Sequence, residues 1–153
     1  MGDRKILLIG NGGHSKTVID SILASNMYCK IGIVEKEYVE VSSDRITYVG
    51  TDDDLPLLYD KGWTDAFDSV GSVGDTRIRK RLYDSLKKYN FRIPSVIDSS
   101  SVVSENVVIG EGVYIGKRSV VNSGTIIENC AIINTGAIVE HDCFVGQFAH
   151  VSS

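Results

Sequence analysis

The sequence predicts an α/β protein in two parts: a small Rossmann-like parallel βαβ domain over residues 1–94 and a parallel β-helix of hexapeptide repeats over residues 95–153. Three observations lead to this prediction. Short apolar runs alternate with helical patterns through the first part of the chain. Near Pro94 the helical spacing disappears, and from there an aliphatic residue follows at every sixth position as far as Val151.

The N-terminal domain is predicted from strands that are apolar on both faces and helices with one apolar face. Lys5–Ile9 is a continuous apolar run, typical of a strand covered on both sides of a parallel sheet. The clearest helix spans residues 75–90, where Ile78, Leu82 and Leu86 lie four positions apart. Further strands are predicted at 30–34, 46–49 and 66–73, and further helices at 14–25 and from Asp52, with Leu55, Leu57 and Leu58 as its apolar face.

The C-terminal part has an unbroken six-residue period. Because side chains alternate along a strand, positions five and one of each hexad point inwards, position six points outwards, and positions two to four turn a corner. Three hexads close one coil, and stacked coils bury each other's aliphatic side chains. A β-sandwich would place its turns about 8–12 residues apart, which this period does not allow. The aliphatic series is Ile97, Val103, Ile109, Ile115, Val121, Ile127, Ile133, Val139, Val145 and Val151.

Composition excludes several classes of protein. The net charge is −4 and the chain has no long basic stripe, so a nucleic-acid partner is not expected. No apolar run approaches the roughly 20 residues of a membrane span, and the N-terminus lacks the features of a signal peptide, so we expect a cytoplasmic location. Cys29, Cys130 and Cys143 form no CxxC pair, and we expect free thiols.

A glycine-rich loop joins the first strand to the first helix. Gly10, Gly12 and Gly13 would let the backbone approach a phosphate, and a helix N-terminus favours negative charge. Ser15 replaces the third glycine of a dinucleotide-binding pattern, while Glu35 ends the second strand, where an acidic residue contacts a ribose. Three interpretations remain open. The short domain and its β-helix favour a sugar nucleotide over NAD, and the loop could also be a purely structural turn.

His141 lies at a corner of the β-helix between Glu140 and Asp142. Attack on a thioester requires removal of a proton from the nucleophile, and an imidazole with a pKa near neutrality can accept it. A neighbouring carboxylate can hold the ring in the required tautomer, although such pairs also occur on solvated corners without function. His141, Asp142 and Cys143 lack a standard zinc spacing, so no metal is expected.

His150 follows nine residues after His141, which is half a coil. The two histidines are therefore expected on different sides of the β-helix, and a site that used both would lie between subunits. Outward apolar side chains also need covering, which predicts a homo-oligomer. These side chains are Val120, Ile126, Ile132, Ile138 and Phe144.

Three stretches are distinctive: Ile9–Lys16, the Val73-Gly74-Asp75 run followed by Arg77 and Arg79, and Asn134–Val151. Together they resemble bacterial sugar O- and N-acetyltransferases of the sialic acid O-acetyltransferase type, whose relatives acetylate UDP-4-amino sugars or dTDP- or GDP-linked amino sugars. The resemblance covers the whole chain. It implies a left-handed β-helix, a trimer, and acetyl transfer from acetyl-CoA as co-substrate.

The resemblance also implies roles for individual residues. His141 would be the general base, oriented by Glu140 or else by Asp142. Asn134 would help to place the acceptor, and His150 would face the acyl group or the coenzyme. The residues implied at the sugar nucleotide are Gly10, Gly12, Gly13, His14, Glu35, Lys36 and Gly74.

The predicted function is acetyl-CoA-dependent acetylation of an amino or hydroxyl group on a sugar nucleotide or a sialic-acid-type sugar. The family continues with further coils after the second histidine, whereas this chain ends at Ser153, partway through a hexad. We therefore expect a C-terminal truncation. The alternative function is a non-catalytic sugar-nucleotide-binding module, because the missing coils would carry much of the coenzyme A groove.

Overall fold

The computed structural model describes residues 3–71 and 74–153. The chain folds into two units, Met1–Ile93 and Pro94–Ser153. Val73, which belongs to a predicted strand and to one of the motifs, lies outside the described residues. Across the described part of the chain, no helix is long and apolar enough to cross a membrane.

The first unit is a four-stranded parallel sheet in the order β3-β2-β1-β4. Ile6, Leu7 and Leu8 of β1 are fully buried, as expected for a central strand covered on both faces. Because all four strands run in parallel, their carboxyl ends meet at one edge of the sheet. The elements are β1 (Lys5–Ile9), α1 (Gly13–Ser25), β2 (Lys30–Val34), β3 (Ile46–Gly50), a 3₁₀ turn (Asp52–Asp54), α2 (Leu55–Asp60), β4 (Asp65–Asp68) and α3 (Arg77–Lys88).

The buried face of α3 differs from the predicted one. Leu82 and Leu86 are buried, but Ile78 is 53% exposed and Arg79 is only 2% exposed. Arg79 Nε lies 3.6 Å from the Asp68 carboxylate, so the helix turns a paired cation inwards instead of a third aliphatic side chain. Leu57 of α2 is likewise exposed, because only Leu55 and Leu58 face the core.

Strand β4 is shorter than predicted. It ends at Asp68 rather than continuing through residues 69–71, and the last two residues of the predicted strand lie outside the described part of the chain. The Asp68 carboxylate accepts a hydrogen bond from the Val70 backbone N–H at 3.0 Å. This local turn takes the chain out of the sheet at the edge that carries the glycine loop.

The second unit confirms the hexapeptide β-helix. Its strands form three parallel sheets, β5-β8-β11-β14, β6-β9-β12 and β7-β10-β13. Val121 pairs with Val139, and every other partner is likewise three hexads away. The strands are β5 (Val96–Ile97), β6 (Val102–Val103), β7 (Val108–Ile109), β8 (Tyr114–Ile115), β9 (Val120–Val121), β10 (Ile126–Ile127), β11 (Ile132–Ile133), β12 (Ile138–Val139), β13 (Phe144–Val145) and β14 (His150–Val151).

The corners share one backbone feature. From the hexad of Ile109 onwards, position four has a left-handed φ in seven successive hexads. Three of these residues are glycines, but the other four carry side chains, so the fold tolerates a Cβ there. The seven residues are Gly112, Arg118, Gly124, Cys130, Gly136, Asp142 and Phe148.

Most of the inward residues form one apolar core. The exception is Ile97, which was expected to point inwards but is 42% exposed in β5, the end strand of its sheet. The three outward faces differ. Val108, Ile126 and Phe144 on the β7-β10-β13 face are 60%, 44% and 65% exposed. Ile138 on the β6-β9-β12 face is 63% exposed. The expected exposure of Ile132 is wrong: it is 1% exposed, and its neighbours Val96 and Tyr114 in the β5-β8-β11-β14 sheet are buried as well.

Candidate active site

The glycine loop is held between two neighbouring strands. The Gly10 N–H donates to the Val34 carbonyl at 2.9 Å. The Ser69 hydroxyl, fully buried after β4, lies 3.0 and 3.1 Å from the carbonyl oxygens of Ile9 and Gly10. Gly10 has φ +100°, and a Cβ there would lie 2.8 Å from Val70 Cγ2. Only glycine therefore fits this turn.

The next two glycines leave open space at the start of α1. Gly12 is the residue before the helix, and no side chain caps the helix N-terminus. A Cβ at Gly12 or at Gly13 would meet no atom within 4 Å, and neither residue has a left-handed backbone. Their lack of side chains is therefore required neither by the backbone nor by packing. It leaves the backbone N–H groups of a 13-residue helix accessible to an anion.

Glu35 shapes this loop through its carboxylate. One oxygen accepts from the Asn11 backbone N–H at 3.0 Å, and the other accepts from the Lys36 N–H at 2.8 Å. Lys36 itself is exposed. The predicted Glu35 is thus beside the glycine loop, where it orients backbone groups.

Of the two further predicted residues, only His14 has a neighbour at this edge of the sheet among the described residues. His14 is half-buried in the first turn of α1, and its Cβ lies 3.3 Å from the position that a Cβ on Gly71 would occupy. Gly74 is exposed with φ +84°. The structure brings His14 close to the loop that follows β4.

The buried pair Asp68–Arg79 is a feature that sequence reasoning missed. Burial raises the pKa of the Asp68 carboxyl to about 6, although Arg79 and the Val70 N–H oppose the shift. The pair anchors α3 to the carboxyl end of β4. An arginine on the apolar face of a predicted helix was the available signal, because a buried arginine needs an acidic partner.

His141 projects from the corner between β12 and β13. Its side chain is 74% exposed, and Nδ1 lies 2.8 Å from Asp142 Oδ2. The hydrogen bond to Asp142 raises the pKa of His141, and the negative charges of Asp142 and Glu140 add to that effect. With Nδ1 directed at Asp142, Nε2 faces away from the carboxylate.

The carboxylate paired with His141 is not the one that the sequence favoured. Glu140 accepts a hydrogen bond at 3.1 Å from the Asn122 side-chain amide, which lies one coil below. Asp142 has φ +55°, and it is Asp142 that contacts the His141 ring. The carboxylate that contacts the His141 ring is therefore that of Asp142, while that of Glu140 is hydrogen-bonded to Asn122.

Asn134 and His150 occupy other parts of the β-helix. Asn134 follows β11, and its side-chain oxygen accepts from the Thr135 N–H at 3.0 Å. His150 lies in β14 and pairs with Ile132. His141 therefore does not share a face of the β-helix with His150.

The described residues offer no group of histidine, cysteine, aspartate and glutamate side chains that could hold a metal ion. Cys29, Cys130 and Cys143 are free thiols.

Comparison with known proteins supports a single class of protein for this chain. The profile of the PglD N-terminal domain matches residues 5–86. GDP-perosamine N-acetyltransferase from Caulobacter crescentus, in a histidine variant solved with CoA and GDP-perosamine, is 34% identical with a TM-score of 0.86; the match covers 95% of this chain and 67% of that one. The acetyltransferase domain of PglB from Neisseria gonorrhoeae, solved with acetyl coenzyme A, is 30% identical with a TM-score of 0.82, over 97% and 70%. No curated protein sequence matches the chain significantly.

The α/β sheet followed by a left-handed β-helix is thus confirmed, and the chain is an acyltransferase of the hexapeptide-repeat class. It belongs to the family of bacterial sugar acetyltransferases that carry the PglD N-terminal domain.

Proposed function

We propose that this chain transfers an acetyl group from acetyl-CoA to an amino or hydroxyl group of a sugar nucleotide, with His141 as the general base. The observation that carries this proposal is the exposed His141–Asp142 pair at a corner of the β-helix. Two solved relatives support the substrates, since one holds CoA with GDP-perosamine and the other holds acetyl coenzyme A.

The geometry of the pair determines which nitrogen reacts. The Asp142 carboxylate accepts a hydrogen bond from Nδ1–H, so the neutral ring presents its lone pair on Nε2. As the acceptor nitrogen or oxygen bonds to the thioester carbonyl carbon, its proton passes to Nε2. The tetrahedral intermediate then collapses, the carbon–sulfur bond breaks, and the departing thiolate takes the proton from His141. General-base assistance of this type accelerates a reaction by about 10²–10⁴-fold.

The sugar nucleotide is assigned to the N-terminal unit. The open start of α1 suits a diphosphate, because backbone N–H groups and the helix dipole both favour an anion there. His14 and Gly74 are assigned to the same sugar nucleotide, and Glu35 and Lys36 to its ribose or base. In the β-helix, Asn134 is assigned to the acceptor and His150 to the acyl group or coenzyme.

We further propose that the chain works as a homotrimer whose sites lie between subunits. His141 lies at the corner between the β6-β9-β12 and β7-β10-β13 faces, and both faces expose large apolar side chains. Packing of a second copy against these faces would cover them. It would also allow His150 of one copy to approach His141 of another.

Acetylation assays test the proposal directly. The chain is incubated with acetyl-CoA and GDP-, UDP- or dTDP-linked amino sugars, and thiol release is recorded. We expect turnover with one of these acceptors and a loss of about 10²-fold or more in His141→Ala. Calorimetric binding of the matching nucleoside diphosphate should be the same in both proteins.

Two results would contradict the proposal. Full turnover in His141→Ala would exclude the assigned base. Nucleoside diphosphate binding without acetyl-CoA binding or turnover would favour the non-catalytic sugar-nucleotide-binding module.

A further inference from the structure

The His141 corner is built on the coil below it. The Asn122 amide donates to the Glu140 carboxylate, and the Thr125 hydroxyl donates to the Glu140 carbonyl at 2.9 Å. The Asp142 N–H donates to the Ser123 carbonyl at 2.9 Å. Residues 122–125 therefore fix the backbone on both sides of His141.

Gly124 contributes to this support by having no side chain. A Cβ at Gly124 would collide with Asp142 Oδ1 and would lie 3.3 Å from Asp142 Cγ. One carboxylate oxygen of Asp142 thus occupies the space above Gly124, while the other lies 2.8 Å from His141 Nδ1. Gly124 is itself held from below, since its N–H donates to the Asn106 side-chain oxygen at 3.2 Å.

The backbone alone does not require glycine at this position. Gly124 has φ +76° at position four of its hexad, and Arg118, Cys130 and Phe148 take similar left-handed conformations at the same position with side chains. The particular constraint at Gly124 is the Asp142 carboxylate one coil above it.

We propose that Gly124 is a positioning residue for the catalytic pair: the space that it leaves allows Asp142 to reach His141 and hold its ring. The catalytic role of the His141–Asp142 pair rests on the function proposed above, whereas the positioning of Asp142 by Gly124 does not depend on that function. Through this contact, the coil below the corner sets the orientation and the basicity of His141.

Histidine titration by NMR tests this proposal without requiring turnover. Asp142 and Glu140 are the charged groups that act on His141, and Asp142 acts more strongly. In Gly124→Ala the added methyl group displaces Asp142, so most of the elevation of the His141 pKa above the ordinary value of 6.5 should be lost. Gly136→Ala is the matched control, because Gly136 has φ +72° at the same hexad position and a Cβ there meets no atom within 4 Å. It should leave the titration of His141 unchanged.

A double variant shows whether Gly124 acts through Asp142. When Gly124→Ala is added to a chain that already carries Asp142→Asn, it should cause no further change in the His141 titration. An unchanged titration in the single variant, or an equal fall in both backgrounds, would overturn the proposal.

Unfolding midpoints provide a second measurement if Gly124→Ala folds poorly. Gly124→Ala should destabilise the chain more than Gly136→Ala, and Asp142→Ala should abolish that difference by removing the collision. A difference that persists in Asp142→Ala would also overturn the proposal. Each of these results is independent of whether the chain transfers acetyl groups.

Discussion

At the scale of single residues, the proposed function depends on which carboxylate contacts His141. Two acidic residues flank the histidine in sequence, and only the structure distinguishes them. The left-handed φ of Asp142 accompanies its contact with the ring, whereas Glu140 is engaged by Asn122. The sequence could identify the histidine and its two candidates. It could not choose between them, because the choice depends on the corner backbone and on a residue one coil away.

This distinction gives a prediction for two isosteric variants. Asp142→Asn removes the hydrogen-bonded charge that raises the pKa of His141, so the His141 pKa should fall. Glu140→Gln removes the charge that acts more weakly on His141, so its effect should be smaller. NMR titration of the His141 ring in both variants provides the measurement. A larger fall in Glu140→Gln would show that the sequence-based preference for Glu140 was right.

At the scale of secondary-structure elements, the N-terminus of α1 is the proposed phosphate-binding site. A Cβ at Gly12 would meet no atom within 4 Å, and the backbone conformation of Gly12, φ −82° and ψ −167°, is accessible to any residue. The predicted role of this glycine is therefore to keep the helix N-terminus open for a phosphate and not to permit a turn.

Gly12→Val tests this role. The valine would fill the space above the helix N-terminus, so nucleoside diphosphate affinity should fall about tenfold or more, which corresponds to about 1.4 kcal/mol. The unfolding midpoint should change little, because a Cβ at this position would meet no atom within 4 Å. Affinity by calorimetry and stability by thermal unfolding are compared in one preparation. Unchanged affinity would favour the purely structural turn.

Periodicity predicted most of the elements, and the exceptions have physical causes. The six-residue period located all ten strands of the β-helix, because every coil repeats the same local packing. The helical period of α3 misplaced Ile78, since it could not show that Arg79 would turn inwards to Asp68. The burial of Ile132 is shared by Val96 and Tyr114 in the same sheet, and the six-residue period does not distinguish this outward face from the other two.

At the scale of the whole molecule, the exposed faces of the β-helix predict self-association. Phe144 is 65% exposed on the same face as Val108 and Ile126. A charge introduced there would be buried in the proposed trimer and would have no partner, which is costly.

Phe144→Glu should therefore shift the chain from trimer to monomer in sedimentation velocity experiments. Leu57→Glu is the matched control, because Leu57 is a 53% exposed apolar side chain on α2 of the first unit. It should leave the trimer intact. A monomeric wild-type chain, or equal dissociation by both variants, would contradict the proposed interface.

The central claim is that His141, held by Asp142, accepts the proton during acetyl transfer. The most direct test compares the pH profile of kcat/KM with the NMR titration of His141 in the free chain, because kcat/KM reports the ionisation of the free enzyme. The contact with Asp142 favours the protonated ring, so the rate should be lost as the pH falls through the raised pKa of His141. We expect the kinetic and NMR midpoints to coincide, and to move together to lower pH in Asp142→Asn. A kinetic midpoint that stays in place while the His141 titration moves would contradict the claim.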